Sequence, residues 1–207
     1  MFIELLKKEY GVNNPIFASD IIKLFSNYTR AYVFRLINKA IKNNELSYYC
    51  KGVYYIPKKT FFGASTICSE IIAEKKYVKN GNSIYGIYAG QTNLNMFGLS
   101  TQVPNFIEII SNNESTRKRK VIIDGKEYIL RKSRCKITND NYPEYTLFQL
   151  FDDISKDEKI NDIAKTKIYN YIKSNNVTKD KLFAMSINFP SIASKNMIKS
   201  GVLNGII

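Results

Sequence analysis

The 207-residue chain contains no histidine and no tryptophan, and only three cysteines and five prolines. Without histidine, the commonest general base and the usual transition-metal ligand are missing. Ser–His–Asp and Cys–His nucleophile systems are therefore excluded. Cys50, Cys68 and Cys135 are odd in number and widely spaced, which fits reduced thiols rather than a disulfide framework or a zinc site. No apolar run approaches the ~18 residues that a membrane span needs. The N-terminal residues lack the basic, apolar and small-residue order of a signal peptide. A cytoplasmic protein without membrane association is expected. Acidic side chains are also scarce, 18 against 31 Lys and Arg, for a formal charge of +13. Such an excess favours nucleic acid or an anionic surface over a cationic partner, although an AT-rich coding sequence is a competing source of part of the lysine.

The motifs of the common nucleotide enzymes are missing too. There is no Gly-x-x-x-x-Gly-Lys-Ser/Thr loop, and the glycines after Ile84 form no dinucleotide fingerprint. A nucleotidyltransferase's Gly-Ser followed by Asp-x-Asp is likewise lacking. Glu74-Lys75-Lys76 has the Glu-x-Lys form of a carboxylate-metal nuclease, yet no Pro-Asp precedes it on a strand and its surroundings read as helix. Asp152-Asp153 would point neighbouring carboxylates of one helix in different directions, a poor metal pair. The expectation is a non-enzyme with no metal and no cofactor, a metal-dependent nuclease being the least favoured alternative.

What is present is concentrated between Ala18 and Pro57. The pattern predicts a helix over Ser19–Phe25, capped by Ser19 with Asp20 in its first turn. Asn27-Tyr28-Thr29 breaks it, and Thr29 is placed to cap a second helix from about Arg30 to Asn43. On that helix Val33, Leu36, Ile37, Ala40 and Ile41 recur at helical spacing as one buried face. Strands over Glu45–Tyr49 and Val53–Ile56 flank Cys50-Lys51-Gly52, and Pro57 stops the second. With a further helix over Phe2–Tyr10, this is the element order of a winged helix-turn-helix, which lays its second helix in a major groove and its hairpin beside the phosphates. The positions off the apolar stripe are Arg30, Tyr32, Arg35, Asn38 and Lys39. The two arginines can each make paired hydrogen bonds to guanine edges or phosphates. Asn27, Tyr28 and Thr29 stand at the helix N-terminus, which favours a phosphate, and Lys51 at the hairpin tip can follow the backbone. A solvated helix face is the competing reading.

Beyond a short basic linker the pattern is mixed. It predicts a helix over Thr66–Tyr77, a strand over Ile84–Ala89, a short helix Asn93–Phe97 capped by Thr92, and a strand over Phe106–Ile110. Asp124-Gly125 between Val121-Ile122-Ile123 and Tyr128-Ile129-Leu130 is a two-residue hairpin signal. Helices follow from Pro143-Glu144 to Asp153, over Asn161–Lys173, from near Thr178, and over Ile192–Leu203. The expected fold class is α+β: an N-terminal winged helix-turn-helix over 1–60, then a mixed α/β domain with C-terminal helices over 64–207.

Two stretches carry a family resemblance. Gly52-Val53-Tyr54-Tyr55-Ile56-Pro57-Lys58 resembles the wing end of the AbiEi-type antitoxins of type IV toxin–antitoxin systems. The run from Tyr85-Gly86-Ile87-Tyr88-Ala89-Gly90 through Thr92-Asn93-Leu94-Asn95, Gly98-Leu99 and Thr101-Gln102-Val103-Pro104 is similar to that family's second-domain signature. The resemblance implies an N-terminal domain that binds inverted repeats of operator DNA and represses its own operon. It also implies a second domain that counters a nucleotidyltransferase-like toxin without a stable complex. An ordinary winged-helix regulator with a ligand- or protein-sensing domain is the alternative.

The hairpin at Asp124-Gly125 pairs Ile123 with Lys126, Val121 with Tyr128 and Lys118 with Arg131, if two-residue geometry runs to its open end. Arg117, Lys118, Arg119, Lys120, Arg131, Lys132, Arg134 and Lys136 would then crowd together. Like charges facing across strands are destabilising, so this cluster is expected to meet an anion as an antitoxin patch. The competing reading is a solvated ribbon end whose lysines discourage edge pairing.

Overall fold

A computed structural model describes residues 1–61, 63–154 and 160–205, without the side chains of 204 and 205. The protein is mixed α+β, and its internal contacts divide it into Met1–Lys75 and Lys76–Ile207. Among the described residues, no helix is long and apolar enough to cross a membrane.

The first unit begins with α1 (Phe2–Tyr10), β1 (Ile16–Phe17), α2 (Ala18–Leu24), α3 (Arg30–Lys42), β2 (Ser47–Cys50) and β3 (Val53–Tyr55). The strands form an antiparallel sheet in the order β1-β3-β2. A core of Leu6, Ile16, Ile21, Phe25, Val33, Ile37 and neighbouring apolar residues ties helices and strands together. The helical stripe of α3 is as its spacing requires: Val33, Ile37 and Ala40 are buried, while Leu36 and Ile41 are half-buried. The expected serine cap of α2 is not made. Residues Ile16 and Phe17 pair with β3, and the Ala18 N–H donates to the Gly52 carbonyl, so the helix starts directly off the strand. The Ser19 hydroxyl turns to Asp20 instead. A two-residue ladder, β4 (Lys59–Thr60) with β5 (Gly63–Ala64), follows, and then α4 (Ser69–Tyr77), which carries Glu74.

The second unit opens with the short ladder β6 (Lys79–Asn80) and β7 (Ser83–Ile84). It continues through β8 (Gly86–Ala89), α5 (Gly90–Met96), β9 (Ile107–Ser111), β10 (Arg119–Ile123) and β11 (Lys126–Lys132). A four-stranded sheet runs β10-β11-β9-β8, with β11 and β9 parallel and the other pairs antiparallel. The expected strand over Ile84–Ala89 is interrupted at Tyr85, whose N–H donates to Val78 and whose carbonyl accepts from Asn112. Thr92 does not cap α5. Gly90, at φ 58°, begins that helix directly from Ala89, and Thr92 lies within it. Asp124 and Gly125 both have positive φ, 49° and 74°, as a type I′ turn demands.

Among the described residues, four helices complete the unit: α6 (Tyr142–Asp153), α7 (Asp162–Ser174), α8 (Lys179–Ser186) and α9 (Ser191–Lys199), followed by a 3₁₀ turn at Val202–Gly205. Every residue of α6 from Pro143 to Phe151 is buried, the signature of a helix enclosed on all sides. It packs against β8, α5, α8 and α9. Tyr145, Leu147, Phe148, Leu150 and Phe151 join the large apolar core.

Candidate nucleic-acid interface

In the first unit, α3 starts with a satisfied cap. The Thr29 hydroxyl accepts from the Tyr32 N–H at 3.3 Å, a device that replaces one of the missing hydrogen bonds at a helix start. The outward positions then follow from the buried stripe. Arg30, Tyr32, Arg35, Asn38 and Lys39 are all exposed, and so are Asn27, Tyr28, Thr29 and Lys51. Among the described residues, none of the cations Arg30, Arg35, Lys39 and Lys51 is in an ion pair.

Aromatic rings shape this face. Tyr28 and Tyr32 lie with ring centroids 5.1 Å apart, 47% and 38% exposed. The Arg35 guanidinium stands 5.2 Å from the Tyr32 ring and that of Arg30 is 5.7 Å from Phe34. Such contacts restrict long side chains while leaving their N–H groups for a ligand. Lys51 sits in the turn between β2 and β3, where Gly52 at φ 75° makes the reversal and its carbonyl is held by the Ala18 N–H. A bulge between Tyr48 and Cys50 distorts the ladder just before it.

The basic patch of the second unit differs from its expected form. The ladder ends at Arg119 opposite Leu130, so Lys118 is not paired with Arg131. The reason is local: the Lys132 N–H donates to the Thr116 carbonyl, and Glu114 gathers the preceding loop. Half of the patch is neutralised. Arg119 pairs with Glu114, Lys120 with Glu127, Arg131 with Glu108 and Arg134 with Asp152. Arg117, Lys118, Lys132 and Lys136 have no ion pair among the described residues. Arg117, Arg131, Lys132 and Arg134 line one recess of about 540 Å³.

Sequence reasoning overlooked the carboxylates that organise this end. Glu114, 4% exposed, accepts from the Ser115 and Thr116 N–H groups, the Thr116 hydroxyl and the Arg119 guanidinium. Burial alone would raise its pKa, but Arg119 and the Thr116 and Ser115 donors outweigh it and bring the group down to about 2. Asp153 accepts from the Gly90 N–H and from Gln149, both at 2.7 Å. There burial prevails over those donors, with the nearby Glu108 acting in the same sense, and the pKa rises to about 6. The one available signal was Glu114-Ser115-Thr116, a carboxylate followed at once by two hydroxyl residues that turn their backbone N–H groups to it.

The chain belongs to a family of unknown function, DUF6088, whose model matches residues 10–180. No curated protein matches it.

Proposed function

For this member of the DUF6088 family, we propose a DNA-binding antitoxin that represses its own operon. We read the order α1-β1-α2-α3-β2-β3, with the two later strands as a hairpin, as a winged helix-turn-helix. In this reading α3 enters the major groove and Lys51 follows the backbone. The observation that carries it is the outward face of α3. Arg30, Arg35, Asn38 and Lys39 stand exposed on it, beyond a capped N-terminus, and among the described residues no carboxylate is paired to these cations. A merely solvated face of an ordinary helix commonly interleaves acids with bases, whereas α3 has no acidic residue in its span Arg30–Lys42.

The operator would be an inverted repeat, read by the arginines through base edges and by the Asn27–Thr29 cap through a phosphate. The resemblance to AbiEi-type antitoxins supports a nucleotidyltransferase-like toxin as the functional partner, countered by the second unit. The basic patch beside β10 and β11 is the surface we assign to that task. A winged-helix regulator that senses a ligand is a second reading, favoured by the recess in the second unit.

The test is a gel-shift titration of the chain on its own promoter at fixed salt. Replacing Arg30 and Arg35 together by alanine is expected to weaken binding at least tenfold, or about 1.4 kcal/mol. An unchanged titration would remove α3 as the reader.

A further inference from the structure

We propose that the recess in the second unit is a phosphate-binding site, taking the phosphoryl group of a phosphomonoester or pyrophosphate. It lies beside the open end of the β10–β11 hairpin, and its volume of about 540 Å³ falls within the range of small-molecule sites. Cations and hydroxyls dominate its polar wall: Ser115, Arg117, Arg131, Lys132, Ser133 and Arg134 contribute, and among the described residues no acidic one does.

Its charges divide into two kinds. Arg131 is held by Glu108 at 3.1 Å and Arg134 by Asp152 at 2.8 Å, each through one terminal nitrogen. Arg134 is fixed further by the Phe189 ring, 5.3 Å from its guanidinium carbon. These arginines are positioned before any ligand arrives, and each keeps N–H groups that its carboxylate does not take. Arg117 and Lys132 have no such partner among the described residues, so the wall carries about two uncompensated positive charges. That matches the dianion of a phosphomonoester. Holding cations together without an anion costs free energy, and the loop from Glu114 to Arg119 is nevertheless anchored to keep Arg117 there.

Tyr145 forms the inner wall of the recess. Its side chain is fully buried and lines the recess, and its oxygen accepts the Arg134 N–H at 2.9 Å. Burial pushes the phenol up to about 12, so it keeps its proton. No acceptor for that proton is found among the described residues. Among the described residues, no other aromatic ring lines the recess. The site recognises phosphate and leaves the rest of the ligand unread.

This assignment narrows the patch given above to the second unit and rests on the antitoxin reading only for its biological use. The experiment is calorimetric titration of the full chain with inorganic phosphate, pyrophosphate, ATP, and one short oligonucleotide bearing either a 5′-phosphate or a 5′-hydroxyl. Saturable binding of pyrophosphate is expected, weakened at least tenfold by Arg117→Gln and by Lys132→Gln. Lys173→Gln, on α7 and outside the recess, should leave it unchanged, and thermal melts should show all three variants folded. Preference for the 5′-phosphate over the 5′-hydroxyl supports the proposal with a strand end as the source. Binding of ATP without that preference supports it with a free nucleotide. No saturable binding of any phosphate probe, or equal weakening by Lys173→Gln, overturns it. Promoter binding measured on the same variants reports α3 separately, so the two readings fail independently.

Discussion

At Glu114 a single carboxylate collects backbone, hydroxyl and guanidinium donors, and its charged form is bound into the folded chain. With a folded-state pKa of about 2 against an ordinary 4.5, this residue stabilises the protein above pH 4.5. That contribution is lost as pH falls through 4.5 towards 2. Glu114→Gln should therefore cost on the order of 2 kcal/mol near neutrality. The cost should shrink steadily in acid, as urea melts across that range would show. A penalty independent of pH would mean that packing, and not charge, holds the loop. Asp153 has the opposite sign: its raised pKa makes the carboxylate a growing burden as pH climbs from about 4 to about 6.

Among the elements, β8 has the strictest requirement. A Cβ at Gly86 would run into the carbonyl oxygens of Tyr77 and Ile110, both backbone atoms with little room to yield. Gly86→Ala should destabilise the second unit by about 3 kcal/mol or more, visible as a lowered urea midpoint. At Gly90 the obstacle is the carboxylate end of Glu108, which is itself engaged by Arg131, and φ of 58° adds its own strain. The helices α1, α3, α6 and α7 and the Asp124-Gly125 hairpin were legible because their periodicity or turn chemistry is local. Thr29 was legible as a cap for the same reason. Ser19 and Thr92 misled, since tertiary pairing of β1 with β3 and the left-handed Gly90 set those helix starts instead. The exposed face of α3 followed from its stripe. The recess did not, because Tyr145 lines it, and Glu108 and Asp152 brace its arginines from behind, from elements distant in sequence.

For the molecule as a whole, two units invite two separable tasks. Residues 1–60 hold ten basic and four acidic side chains, and residues 61–154 hold twelve and ten. The second set is nearly balanced overall and becomes locally positive where Arg117, Lys118, Lys132 and Lys136 lack paired acids among the described residues; of these, Arg117 and Lys132 line the recess. Reversing those two charges to glutamate should abolish rescue of growth when the chain is co-expressed with the neighbouring gene. Promoter binding in gel shift should remain. Arg131 and Arg134 are unsuitable for this purpose, because reversing them would strand Glu108 and Asp152. Rescue that survives the reversal would leave the patch as surface. Loss of promoter binding as well would tie the tasks together.

The enclosure of α6 has a consequence for how occupancy could be observed. Amide protons on a rod shielded from Pro143 to Phe151 reach solvent only when the surrounding unit opens. Tyr145 stands on that rod and touches the recess. A bound anion that favours the closed state would thus announce itself as slowed deuterium uptake along the rod, far beyond the few residues it contacts.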